Sequence, residues 1–376
     1  MNKNKYCDNM RLEITNIKID HPFFIVFIGH LILFLFAFLY MIMFKPPYDI
    51  QNFIKVILVV LGYLIAFYLG TRYNLKIKKI LMLALFILSI LITYGSYAIT
   101  DNIFLSFLYA IFVLGILEGY LRYRDKINFN NLFLFIGIAS FLLLVSIKKG
   151  IPLFNYNIRM SIVSDPLRLI SSGALTYAGI GKYFLIAFVI LVLLGYKVHV
   201  LILCVSYLIY KYRKKSLNVR QMVIFGILLI LFIGFMGKVI LASSNQAWKL
   251  NFMELILYRA YFDIMVLEKI VNYPEILLGK ITFVPNGERL IGKLLFNYSH
   301  NITSTMFGPL YFDFGVFGVV FAFILGMMSK LIYEKGDDKI YSIYAGVLLA
   351  MCEIGINYGF LIVLLALFYV SSRLRK

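Results

Sequence analysis

Residues 23–44 read FFIVFIGHLILFLFAFLYMIMF, a run without a single charged side chain. About 20 apolar residues suffice for an α-helix to cross the hydrocarbon core of a bilayer. Comparable runs recur along the chain, in which 62% of the 376 residues are hydrophobic and 15% are charged. Because lipid cannot hydrogen-bond the backbone, only helices or closed barrels cross it, and barrel strands would alternate apolar with polar residues. The sequence therefore predicts an all-α, polytopic transmembrane bundle.

Ten spans account for the pattern. They are Phe23–Phe44, Phe53–Thr71, Ile80–Thr100, Ile103–Leu121, Leu132–Ile147, Tyr183–Tyr210, Met222–Ser243, Val316–Tyr333, Tyr341–Ile356 and Phe360–Ser372. Lys and Arg cluster between alternate spans, as in cytoplasmic loops, so both termini are expected in the cytoplasm. This arrangement requires Tyr183–Tyr210 to be one long span and Leu169–Lys182 to be a half-helix or re-entrant segment on the outer side. Twelve spans result if Leu169–Lys182 and its partner cross separately.

Residues 1–376 are predicted to form one membrane domain of the cell (plasma or inner) membrane, with two long outer loops at 148–182 and 244–315. The first twenty residues are polar, so we expect no cleavable signal peptide. The net charge of +19 is explained by cytoplasmic loops, and no nucleic-acid module accompanies it. The chain carries no phosphate-binding loop, zinc motif or paired cysteines. No cofactor and no metal are therefore expected.

The outer loops carry arginines in spite of the usual bias of basic residues toward the cytoplasm. They are Arg159 and Arg168 in the first loop and Arg259 and Arg289 in the second. A guanidinium group stays charged and binds phosphate through two parallel hydrogen bonds, which suits a lipid-linked phosphate or pyrophosphate. Alternatively, these arginines contact lipid headgroups or nearby carboxylates, as Arg259 could with Asp263 four residues later.

Two further features have open interpretations. Trp248–Ile276 has apolar residues at helical spacing, which predicts either a helix in the headgroup region or a lid packed over the bundle. Few ionisable residues lie inside the predicted spans, and they include Glu118, Lys238, Glu353 and His30. Such groups are functional candidates because they are costly in lipid, and Glu353 is the strongest of them.

Four short segments of the outer loops have a distinctive composition. The first loop contains GIPLF at 150–154, followed by Arg159, and PLRL at 166–169. The second loop contains HNITST at 300–305 and FGPLYFDFG at 307–315. These segments resemble the oligosaccharide repeat-unit (O-antigen) polymerases of the Wzy type. The resemblance implies a fold similar to the GT-C membrane glycosyltransferases, with the active site formed by the outer loops.

The resemblance also implies a reaction. Such enzymes transfer a growing glycan from polyprenyl pyrophosphate to the next lipid-linked repeat unit. We expect Arg159, Arg259 and His300 to act in catalysis, with His300 ahead of Asp263, Glu288 and Asp313 as the base. Substrate-binding roles are expected for Arg168, Arg289, Asn301, Thr303 and Asp313.

The expected partners are the polyprenyl-pyrophosphate-linked oligosaccharide and membrane lipids, with a flippase and a chain-length regulator as further candidates. Two other functions remain open at this stage. A ligase would use the same lipid-linked donor, whereas a transporter or flippase of lipid-linked oligosaccharides would need a charged path through the bundle.

Overall fold

A computed structural model describes residues 18–47, 49–74, 77–244, 250–298 and 300–374, and within these ranges it contains helices and no strands. The α-helices are α1 Pro22–Phe44, α2 Ile50–Arg72, α3 Ile77–Thr100, α4 Ile103–Tyr123, α5 Phe129–Lys148, α6 Tyr156–Ser161, α7 Pro166–Gly179, α8 Phe184–Leu193, α9 Lys197–Arg213, α10 Val219–Ala242, α11 Phe252–Val271, α12 Glu288–Phe296, α13 Gly308–Phe314, α14 Val319–Lys335, α15 Asp338–Ile354 and α16 Tyr358–Arg373. The predicted all-α class is confirmed.

Seven helical stretches in the described part of the chain are long and apolar enough to cross a membrane by themselves. They are α1, α2, α3 from Ile80 onward, α4, α5, α10 and the stretch Gly308–Lys335, which joins α13 to α14. Helices α8 and α16 are apolar but shorter. The chain is thus a multi-pass membrane protein.

The basic loops meet at one end of the bundle, which we call the basic end. Arg213 pairs with Asp20 at 3.3 Å and with Asp338 at 2.9 Å. Arg124 lies 3.8 Å from Asp337. These ion pairs join the chain before α1 to the loops that follow α4, α9 and α14. We call the opposite end, where α5 stops at Lys148, the far end.

The second half of the predicted outer loop 148–182 runs through the bundle. Helix α7 starts at the far end, where Asp165 lies 3.8 Å from Lys148. It then packs antiparallel to α5, with the Ser171 hydroxyl donating to the carbonyl of Gly137 at 2.9 Å. At the basic end, Tyr183 donates to Asn131, which lies near the start of α5, at 2.6 Å. Leu169–Lys182 is therefore not confined to the outer side.

The predicted single span Tyr183–Tyr210 is wrong, because the structure breaks it into α8 and α9 at residues 194–196. Gly195 has φ +76°, a conformation that favours glycine, and a Cβ there would lie 3.1 Å from the Leu153 backbone. The break turns the chain at the far end, so α7, α8 and α9 run through the bundle one after another as three separate helices. The structure thus follows the alternative in which Leu169–Lys182 and the segment after it run through the bundle separately.

Helix α11 packs into the bundle as the lid alternative predicts. A reciprocal capping box between Asn251 and Glu254 starts the helix. Ile256 packs against Gly234 of α10, and the Tyr261 ring stacks on Tyr40 of α1 at 4.9 Å. Trp248, at the start of the predicted segment, lies outside the described residues.

The chain after α11 also enters the bundle before it reaches α14. The Phe307 ring stacks on His30 of α1 at 5.2 Å, and the carbonyl of Gly315 accepts a 2.6 Å hydrogen bond from Tyr63 of α2. The predicted outer loop 244–315 therefore contains three helices and supplies side chains to the interior. This arrangement brings α11 and residues 300–307 close to the far ends of α9 and α15.

Candidate functional site

Arg259 is the centre of a charged cluster that joins three separate parts of the chain. Its Nε donates to Glu353 Oε1 of α15 at 3.0 Å, and its Nη2 donates to the hydroxyl of Thr303. Thr303 in turn donates to Asp263 Oδ1 at 3.0 Å, and Arg259 Nη2 lies 3.5 Å from the same oxygen. The predicted pair of Arg259 and Asp263 thus exists, but it is part of a larger network.

Asp263 is fully buried beneath this network. Its Oδ2 has no hydrogen-bond partner among the described residues. Burial raises the pKa of Asp263 to about 7, against the opposing effect of Arg259, because the charged form loses its hydration. A carboxylate without solvent access cannot touch a substrate. Its contacts instead orient Arg259 and Thr303.

The side chains of Arg259 and Glu353 remain partly accessible, and we call the space that they face the recess. Their side chains keep 36% and 37% of their surface accessible, although α15 is otherwise largely buried. The Nη1 group of Arg259 contacts no acceptor in the described part of the chain. The recess therefore presents a fixed guanidinium with free N–H groups beside a carboxylate, an arrangement that can bind an anion and accept a proton.

The break between α8 and α9 brings two more cations toward this recess. Lys197 begins α9, and the charges that act on it are Glu353, Arg259, Arg159 and Asp263. Arg159 belongs to α6, whose position the break also fixes. A Cβ on Gly195 would lie 3.4 Å from Arg159 Cδ.

Arg168 is buried and supports this arrangement from behind. Its guanidinium lies 4.4 Å from the centre of the Tyr196 ring, and it donates to the carbonyl of Val163 at 2.5 Å. It also lies 2.7 Å from His199 Nε2, which must accept because guanidinium has only donors. The Tyr196 hydroxyl donates to the carbonyl of Arg159 at 2.6 Å. These contacts give Arg168 the geometry of a positioning residue.

The remaining predicted site residues divide into an exposed group and a buried one. Arg289, His300 and Asn301 are exposed, and the His300 ring packs on Tyr298 at 4.2 Å. Within the described residues no contact joins these three side chains to Arg259. In the sequence, His300 nevertheless lies only three positions before Thr303, which contacts Arg259 at the recess.

Asp313 is buried and holds a loop in place. Its two oxygens accept from the backbone N–H groups of Ile281 at 3.0 Å and Thr282 at 2.7 Å. These bonds fasten the segment after α11 to α13. The predicted substrate-binding role of Asp313 thus has a competing structural explanation.

Two depressions lie away from the cluster. One, of about 1130 Å³, lies at the basic end between α4, α14 and α16. The other, of about 540 Å³, is an apolar groove between α8, α9 and α10. Neither contains a side chain from the arginine network, and chemistry rather than volume identifies the candidate site. Within the described ranges, no three His, Cys, Asp or Glu side chains gather as metal ligands would.

The expected site residues did not include Lys197, Tyr196 or Glu353. Glu353 was singled out as an intramembrane charge, but nothing in its neighbourhood connects it to Arg259, which lies 94 positions away. Lys197 had a usable signal, since it follows a Gly-Tyr pair within an apolar stretch. Non-helical backbone in such a stretch is tolerated where it is buried in protein or lines a water-filled cavity.

Comparison with known proteins identifies the family of this chain. The family model described as "Putative O-antigen polymerase" matches residues 18–369. A protein of Methanocaldococcus jannaschii, uncharacterized protein MJ0420, is 50% identical over 371 residues, which cover 97% of this chain and 96% of the relative. A second protein of that organism, uncharacterized protein MJ0419, is 26% identical over 271 residues, 65% of this chain and 75% of its own. No solved structure matches. Since the family model covers nearly the whole chain, this protein belongs to the O-antigen polymerase family.

Proposed function

We propose that this protein polymerises lipid-linked oligosaccharide repeat units at the far end of the bundle, which we place on the outer side of the cell membrane. The growing glycan leaves polyprenyl pyrophosphate and joins a sugar hydroxyl of the next lipid-linked unit. The observation that carries the proposal is the recess in which Arg259 is held by Glu353, Thr303 and Asp263.

The geometry suits this reaction step by step. The bond between the anomeric carbon and the pyrophosphate oxygen breaks, and the electron pair stays on the pyrophosphate. Arg259, with its free N–H groups in the recess, stabilises that developing negative charge. The acceptor hydroxyl forms the new glycosidic bond and gives its proton to a base. Arg159 and Lys197 add positive charge on the side of the leaving group.

Glu353 is our choice for the base. It is the accessible carboxylate of the recess and lies 3.0 Å from Arg259, so it would be beside the reacting centre. His300, the first choice from the sequence, packs on Tyr298 outside the network. A general base contributes about 10²–10⁴-fold to a rate.

We therefore expect Glu353→Gln to lower the rate of polymer formation about 100-fold or more, because glutamine still accepts from Arg259 but takes up no proton. The rate is measured with the purified protein in proteoliposomes that contain lipid-linked repeat units. His300→Gln serves as the matched comparison and should change the rate less than about threefold. The reverse ranking of the two variants would return the role to His300.

Acidification is expected to reduce activity through Asp263. Below pH of about 7 this buried carboxyl takes up a proton, since its pKa is raised to about 7, and its ion pair with Arg259 is lost. Polymer formation should fall as the pH decreases from about 8 to 6. In Asp263→Asn this step should vanish, while in His300→Gln it should persist. A step that survives in Asp263→Asn would assign the titration to another group.

The experiment that tests the function itself is the product pattern in cells. Without the protein, a polymerase pathway accumulates single lipid-linked units, whereas the loss of a ligase leaves lipid-linked polymer. Loss of a transporter would leave single units facing the cytoplasm. Accumulation of lipid-linked polymer or of cytoplasm-facing units would contradict the proposal.

A further inference from the structure

Lys197 is a cation without a direct partner at the far end of the bundle, where α9 begins. Among the described residues its side chain makes no hydrogen bond and no ion pair within 4 Å. Its amine rests against α10, where a Cβ on Gly237 would lie 3.5 Å from Nζ, so the missing side chain of this glycine leaves space for the ammonium group. A charged amine in such a place is costly unless an anion approaches it.

The backbone at the same place also favours an anion. Lys197 is the first residue of α9, and no side chain caps this helix end. The N–H groups of Lys197 and Val198 donate to no acceptor in the described part of the chain, whereas that of His199 donates to the carbonyl of Tyr196 at 3.1 Å. The helix dipole adds partial positive charge at this end. Lys197 and this helix terminus both belong to α9, whereas Arg159 belongs to α6 and Arg259 to α11.

The charges around Lys197 have an excess of positive sign. Arg159, Arg259 and Lys197 face two carboxylates, Asp263 and Glu353. Glu353 already accepts from Arg259, and Asp263 is buried beneath Thr303. The recess therefore has a net positive charge, which an anion from outside the chain would neutralise.

We propose that Lys197 and the N-terminus of α9 form a phosphate subsite, separate from Arg259, for one phosphate of a diphosphate ligand. This inference rests on the proposed function: the subsite holds one phosphate of the lipid diphosphate while Arg259 holds the other. The break at Gly195 makes this subsite possible, because a continuous helix would have no N-terminus at this point. A phosphate between a helix terminus and a lysine is a recurrent arrangement in proteins.

Inorganic pyrophosphate is the probe that tests the subsite. The full-length protein in lipid nanodiscs is titrated with pyrophosphate by calorimetry, and the wild type is expected to bind it. Lys197→Met should weaken binding about 10-fold or more, because a charge-assisted hydrogen bond is lost. Lys182→Met is the matched control, since Lys182 lies beside Tyr183 at the basic end, and its affinity should be unchanged.

A second variant excludes the simpler role of Lys197 as a counter-ion for Glu353. In Lys197→Met/Glu353→Gln one positive and one negative charge are removed, so the net charge around the recess is the same as in the wild type. If this double variant regains wild-type affinity for pyrophosphate, the subsite is overturned. It is overturned as well if the wild type does not bind pyrophosphate or if Lys197→Met binds it equally well.

Failure of the subsite can be told apart from failure of the proposed reaction. If Lys197→Met binds pyrophosphate normally and still makes polymer, the subsite falls while the polymerase function stands. If pyrophosphate binding depends on Lys197 but the wild type makes no polymer from lipid-linked units, the subsite stands and the reaction falls.

Discussion

Replacement of Arg259 by alanine is expected to lower the rate of polymer formation about 10³-fold or more and to leave single lipid-linked units in cells. An arginine that stabilises a phosphoryl leaving group contributes on this scale, since no other side chain takes over its charge at the same position. Arg259 is held from three sides by Glu353, Thr303 and Asp263, so its direction is fixed before the substrate arrives. The measurement is the rate in proteoliposomes together with the glycan banding of cells.

Loss of folding must be separated from loss of chemistry in this variant. Without Arg259 the fully buried Asp263 loses its ion-pair partner and keeps only the more distant charge of Lys197, and an unpaired buried charge costs about 3–5 kcal/mol. The double variant Arg259→Ala/Asp263→Asn removes that charge and should fold yet stay inactive. Arg289→Ala, on the exposed face of α12, should keep the rate within about threefold. Normal long chains in Arg259→Ala would refute the assigned role.

Replacement of Gly326 by alanine is expected to destabilise the bundle by about 3 kcal/mol. Helices α2 and α14 touch through their backbones, and a Cβ on Gly326 would lie 2.1 Å from the carbonyl oxygen of Phe67. Gly70 is in the matching position, where a Cβ would lie 2.1 Å from the carbonyl oxygen of Phe323. Backbone atoms cannot rotate away as a side chain does, so the two helices must separate.

The effect is measured as the unfolding midpoint in detergent and as the yield of folded protein from membranes. Gly62 provides a control on the same helix α2, because no atom lies within 4 Å of a Cβ placed there. Gly62→Ala should leave both quantities unchanged, and Gly70→Ala should resemble Gly326→Ala. Equal stability of the Gly62 and Gly326 variants would show that the two helices are not packed as closely as described.

The resemblance to the polymerase family was visible in short outer-loop segments, and the family assignment agrees with it. The segment 300–305 contains Thr303, which touches Arg259, and Arg159 follows 150–154. Both arginines that approach the recess were expected there. The sequence could not rank them against Arg168 and Arg289, because all four have the same chemistry and differ only in what surrounds them.

The sequence by itself determined that the chain crosses the membrane as helices, since each apolar run meets a length requirement that depends on local composition alone. It also determined which loops share the basic end, because that rule counts Lys and Arg in short segments. The tertiary structure alone decided that Tyr183–Tyr210 breaks at Gly195 and that Leu169–Lys182 enters the bundle. The break at Gly195 is favoured by its contact with Leu153, which is distant in the chain. The path of Leu169–Lys182 is favoured by packing along α5.

The same distinction holds for the site. Lys197, Arg259 and Glu353 lie on α9, α11 and α15, and no local pattern links them. Their meeting depends on how the three helices pack, and so does the burial that makes Asp263 a support rather than a base. Residue type fixed the available charges, whereas packing decided which of them face the recess and which are enclosed.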